Sequence, residues 1–119
     1  MFVNVSNHPS ELWLDKQKEC ALCYGDIVDV AFPAIHKDYD SSKYDELVEL
    51  YYERIMGICP DVVMVQGEFA FTYRLVGKLK ESGIRVVSAR SERVCQEFKD
   101  ENNVIHKHSI FEFIDFVDY

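Results

Sequence analysis

No apolar run in these 119 residues approaches the about 20 that a bilayer-spanning helix needs. Residues 1–20 are also too polar and acidic to resemble a secretory leader, so the expected location is the cytoplasm. Positive charge is scarce: 13 Lys and Arg face 21 Asp and Glu, a formal net charge of −8 at pH 7. A surface for long nucleic acid must neutralise many phosphates, so such a partner is not expected. Glycine is sparse too. There is no Walker sequence, and Gln66-Gly67-Glu68 holds one glycine where a dinucleotide fingerprint needs three, which argues against a nicotinamide enzyme. Internal repeats and low-complexity linkers are missing. Cys20, Cys23, Cys59 and Cys95 lack the paired spacing of a zinc site, and Cys20 falls inside an expected helix, unlike a redox motif. They are expected to be reduced, buried and structural, with no metal or cofactor.

What is present describes a globular chain. The composition is 48% hydrophobic and 29% charged, with eight Phe, seven Tyr and one Trp, and the length suits one domain over residues 1–119. Residues 61–93 organise it: Val62–Val65 is a short β-branched run, a helix-period stretch follows to Ser82, Gly83 closes that helix, and Arg85–Ala89 is a second strand. Before it, Met1–Val5 is expected as a strand, Glu11 to about Tyr24 as a helix capped by Ser10, and Ile27–Phe32 as the second strand. The helix should bury Leu12, Trp13, Cys20 and Cys23. A further helix to about Gly57 is expected from the capping-box-like spacing of Ser42 and Asp45, with Leu47, Leu50, Tyr51 and Ile55 on its core face. After Arg93 the reading is a short helix over Val94–Lys99 capped by Ser91, a turn at Asp100–Asn103, and a last strand near Ser109–Phe116 at a sheet edge or subunit contact. The alternation predicts an α/β fold, a mostly parallel sheet of about five strands with helices on both faces.

In such a sheet ligands bind at the carboxyl ends of the strands. Three polar groups should converge there: Ser6, Asn7, His8 and Ser10; Gln66, Gly67 and Glu68; and Ser88, Arg90, Ser91, Glu92 and Arg93. Each stands before an expected helix, whose free N–H groups suit an anion. Four of the five arginines, Arg74, Arg85, Arg90 and Arg93, lie in residues 61–93. They either make a cationic pocket for a compact phosphorylated ligand or pair with surface carboxylates. His8 is a candidate general acid or base, although Asn-His-Pro-Ser is also ordinary turn composition. Glu68 reads equally as a helix cap and as a catalytic carboxylate. Thr72 and Arg74 fall within the helix, and His36, His106 and His108 read as solvated.

The strings NVSNHPS, VMVQGEFAFTYRLV and SARSER, with the closing aromatic strand, resemble small stand-alone CRISPR-associated Rossmann-like (CARF-like) proteins over most of the chain. Several of those are ring nucleases, which degrade cyclic oligoadenylate second messengers. The resemblance implies a homodimer that binds one cyclic ligand across its two-fold axis. It carries no active-site signature that transfers residue by residue. On that footing His8, Glu68 and Arg90 are the catalytic candidates, with Arg93 beside Arg90 on the phosphate. Ser6, Asn7, Ser10, Gln66, Gly67, Thr72, Ser88 and Ser91 are the ligand contacts. Cleavage would proceed without metal, through the ribose 2′-hydroxyl. A nucleotide sensor without turnover, or a purely structural partner protein, would use the same scaffold.

Overall fold

Five strands make one sheet: β1 (Phe2–Ser6), β2 (Ile27–Ala31), β3 (Val62–Val65), β4 (Arg85–Lys99) and β5 (Ile105–Asp118). The computed structural model describes residues 1–119. Strand order is β2-β1-β3-β4-β5, with β1 to β4 mutually parallel and β5 antiparallel to β4. Helix α1 (Asp15–Leu22) links β1 to β2, α2 (Ser41–Gly57) links β2 to β3, and α3 (Phe69–Glu81) links β3 to β4. This is the expected α/β architecture, a Rossmann-like sheet. Its strand order reverses between β1 and β3, which places a crevice at their carboxyl ends. No helix is long and apolar enough to cross a membrane.

The period of two along β1 divides the interior. Val3 and Val5 join Val63, Val65 and Val86 under Ile55 of α2 and Phe71, Leu75 and Leu79 of α3. Phe2 joins Val62, Met64 and Val87 under Trp13 and Ala21 on the other face. Each fully buried side chain of this size contributes about 1.5–3 kcal/mol through removal from water. Asn4 and Ser6 share the parity of Phe2, so buried polar groups stand at the carboxyl end of this second face.

Several boundaries differ from the sequence expectation. The first helix is broken into a 3₁₀ turn at Ser10–Leu12 and α1 proper, because Trp13 and Leu14 are extended between them. Leu12 and Cys23 are exposed as a result, while Trp13 and Ala21 are buried. Cys59 and Cys95 are exposed as well, so the cysteines are not core residues. On α2 the buried positions are Val48 and Ile55; Leu50 faces water, and Leu47 and Tyr51 pack at the margin of the core. Asp40, not Ser42, caps α2 by accepting the Lys43 N–H at 2.9 Å. Asp40→Ala is therefore expected to lower stability by about 1 kcal/mol in urea unfolding, whereas Ser42→Ala leaves the midpoint in place. Gly83 ends α3 as expected, at φ +80°, with the Ile84 N–H bonded back to the Leu79 carbonyl.

The largest difference is the segment after Ala89. The expected helix at Val94–Lys99 does not form; β4 runs straight through it and pairs with β5 as far as Lys99 opposite Ile105. A six-residue helix pays the full nucleation cost for one or two hydrogen bonds, whereas a hairpin extends a ladder already begun at Val87 and Asp118. The turn lies where it was expected: Asp100 accepts the Asn102 and Val104 N–H groups, and Asn103 adopts φ +61°. Since β3 pairs with β4 only as far as Val87, the distal hairpin is a two-stranded arm that leaves the sheet. The radius of gyration is 17.5 Å, against about 13.5 Å for a compact chain of this length.

Candidate functional site

The Ser6–Ser10 loop at the end of β1 is fixed from below by Asn4, which is 1% exposed. Its Nδ2 donates to the His8 carbonyl and to Asp29 Oδ1, both at 2.9 Å. Ser6 Oγ donates to Asn4 Oδ1 at 2.7 Å and accepts the His8 N–H at 3.1 Å. Trp13 Nε1 donates to the same His8 carbonyl at 3.1 Å, and Asp29 Oδ2 accepts the Ser10 hydroxyl at 3.0 Å. The backbone of His8 is therefore held at both its N–H and its carbonyl, no hydrogen bond engages its imidazole, and the residue lines the adjoining cavity. Sequence reasoning passed over Asn4, Asp29 and Trp13 as binding-loop supports; an asparagine inside a five-residue apolar strand was the signal.

That cavity, of ≈ 470 Å³, opens at the β1–β3 reversal on the α1 face. Ser6, His8, Gln17, Gln66 and Ser91 supply its polar wall, and Trp13 and Phe111 part of its aromatic one. The volume is within the about 300–1,000 Å³ of small-molecule sites. Gln66 works at the boundary. Its Oε1 accepts the Ala89 N–H at 2.7 Å, continuing the β3–β4 ladder with a side chain where β3 has stopped. Across the sheet edge a second cavity, of ≈ 520 Å³, is lined by Gln66, Gly67, Thr72 and Ser88 with Tyr73 and Tyr119. The Thr72 hydroxyl there is buried without a partner. Gly67 is needed for shape: a Cβ on it would stand 2.3 Å from the Phe32 ring.

The expected site residues are thus divided. Ser6, His8 and Ser91 share one cavity, Gly67, Thr72 and Ser88 the other, and Gln66 reaches both. Asn7 is exposed and lines neither; Ser10 is committed to Asp29. Glu68 caps α3 by accepting the Ala70 N–H. The Glu68 carboxylate nearby also pushes the Tyr44 phenol above its ordinary pKa, with burial adding to the effect. Arg74 lies over the Tyr44 ring at 4.8 Å, so Glu68 belongs to the α2–α3 side and not to the wall shared with His8.

The two arginines of the third group do not converge. Both lie on one continuous strand, three residues apart, and alternation puts them on opposite faces. Arg90 is held in a bidentate pair by Asp115 at 2.9 and 2.7 Å. Arg93 shares the face of Ser91 and Phe111 and donates to Ser109 Oγ at 2.9 Å from Nη2. Because no helix follows Ser91, the third of the expected helix N-termini is also missing. No group of three or more His, Cys, Asp or Glu side chains is placed to hold a metal ion.

The family described as Uncharacterized protein MJ1673 matches residues 1–117. No curated protein matches the chain at a significant level.

Proposed function

We propose that this chain, which belongs to the Uncharacterized protein MJ1673 family, is a CRISPR-associated ring nuclease. In this reading it binds a cyclic oligoadenylate in the cytoplasm, as a homodimer, and opens the ring without metal. The observation that carries the proposal is the convergence of Ser6, His8, Gln66 and Ser91 on one cavity at the carboxyl edge of β1, β3 and β4. Trp13 and Phe111 in the same wall offer flat surfaces on which adenine stacks, a contact worth about 1–3 kcal/mol per base.

The chemistry asks little of the protein beyond position. A ribose 2′-hydroxyl attacks the neighbouring phosphorus in line, the P–O5′ bond breaks, and the products are a 2′,3′-cyclic phosphate and a free 5′-hydroxyl. His8 takes the proton from the 2′-oxygen, and the departing 5′-oxygen is protonated in turn. Arg93, on the same face, swings from Ser109 to the phosphate and stabilises its developing charge. Gln66 and Ser91 orient ribose or base. Glu68 and Arg90, committed to the α3 cap and to Asp115, support the scaffold and stay out of the reaction. The formal charge of −8 supports a small ligand over a long one, since a polynucleotide would meet repulsion along its length.

Purified protein mixed with cyclic tri-, tetra- and hexa-adenylate, and resolved by anion-exchange chromatography, is expected to convert at least one ring to linear products ending in a 2′,3′-cyclic phosphate. A ring that is bound but stays intact would favour a sensor without turnover. Failure to open any ring refutes the nuclease.

A further inference from the structure

The cavity on the α3 side of the sheet edge takes no part in the chemistry assigned to His8. One stripe of α3 walls it: Phe69, Thr72, Tyr73 and Val76 recur at helical spacing and all line the same ≈ 520 Å³. Phe69 is 89% exposed and Tyr73 83% exposed, so the helix presents two bare aromatic rings beside a hollow. Tyr119 adds a third ring, and a fixed one. Its hydroxyl donates to the Val65 carbonyl at 2.6 Å and its backbone N–H to the Val86 carbonyl at 3.0 Å, which fastens it at both ends.

The polar groups of the same wall are uncharged and incompletely bonded. Gln66 turns its Oε1 to the Ala89 N–H, and its Nε2, at the other end of the amide, makes no hydrogen bond within the chain. Thr72 is 7% exposed, and its hydroxyl lacks even the carbonyl one turn back that a helical threonine ordinarily uses. Ser88 adds a hydroxyl. No Asp, Glu, Lys, Arg or His side chain lines the cavity. The N-terminus of α3, which would otherwise draw an anion, is occupied by the Glu68 carboxylate.

These features restrict the occupant. A phosphate or carboxylate would lose its hydration with no cation to replace it, and a wholly apolar group would leave the Gln66 amide and the Thr72 hydroxyl unsatisfied. A flat, neutral ring with donors and acceptors along its edge meets both conditions. We propose that this cavity is a second binding site, for an uncharged nucleobase that stacks on the Tyr73 and Tyr119 rings and is read along its edge by Gln66, Ser88 and Thr72. Gln66 Nε2 donates to a ring nitrogen, and the two hydroxyls pair with exocyclic groups. The choice of adenine as the base rests on the functional reading above; the site itself does not. The base belongs either to a free nucleoside or to a cyclic oligoadenylate whose neighbouring adenine fills the His8 cavity, since Gln66 lines both.

Adenosine, which carries the base without a phosphate, is the probe. Titrated into isotope-labelled protein up to its solubility limit, it is expected to move the amide resonances of Gly67, Thr72 and Ser88. Phe69→Ala with Tyr73→Ala should weaken that binding by about tenfold or more, the contribution of one stacked base. Both positions face water, so the remaining amide spectrum should keep its dispersion. Cyclic tetra-adenylate separates the two sources. If the ring supplies the base, it moves these amides together with those of His8 and Ser91 and blocks adenosine; if a free nucleoside is the ligand, adenosine still moves them in the presence of saturating ring. An α3 side that responds to neither probe overturns the inference, as does binding that the double variant leaves at full strength. Bound adenosine with every ring left intact would defeat the nuclease and leave this site standing, whereas opened rings with a silent α3 side would do the opposite.

Discussion

His8→Ala is expected to slow ring opening by about 10²–10⁴-fold, the usual contribution of a general acid–base side chain. The folded structure should lose little. What the fold uses of His8 is its N–H, bonded to Ser6, and its carbonyl, bonded to Asn4 and Trp13. Alanine keeps both. The substitution removes only the imidazole on the cavity wall, so single-turnover rates should fall while the thermal midpoint and ligand affinity stay near those of the wild type. A variant that opens rings at the wild-type rate would exclude His8 from proton transfer.

Asn4→Ala should do the reverse and act first on stability, with a loss of about 2–3 kcal/mol. Asn4 is almost fully buried and satisfies three groups at once: the His8 carbonyl, Asp29 Oδ1 and the Ser6 hydroxyl. Alanine leaves these groups without the partner that Asn4 supplies. Trp13 still serves the His8 carbonyl and Ser10 still serves Asp29, which keeps the expected loss from growing further. Urea unfolding should show a lower midpoint with an unchanged slope. An unchanged midpoint would mean that the network contributes nothing net.

The parallel sheet was legible in the sequence because runs such as Val62–Val65 are short, β-branched and bounded by turn residues, and because a Gly in the position of Gly83 ends a helix by a local mechanism. The loops at the ends of β1 and β3 followed from the same boundaries. Beyond Ala89 the local signals misled. Ser91 looked like a helix cap, and the alternation of Val94, Gln96 and Phe98 on one face is weak. Only the pairing across the turn, through Ile110, His108 and His106, makes it a strand. Arg90 and Arg93 appeared as a pair for the same reason: on a helix or loop they could converge, and on a strand they cannot. Asn4 was hidden differently, since its partner Asp29 stands opposite it only once β2 lies beside β1.

The side chain of Gln66 continues the ladder to Ala89, the β4–β5 register shifts between Arg90 and Ser91 where the arm begins, and everything beyond that shift is counted in twos. Deleting one residue from either strand of the arm would exchange its inner and outer faces, whereas removing a matched pair from both strands shortens its reach by about 7 Å and leaves every remaining side chain facing as before. Length changes in even steps therefore alter how far the arm extends without disturbing His8 or the cavity. Odd steps scramble the surface it presents.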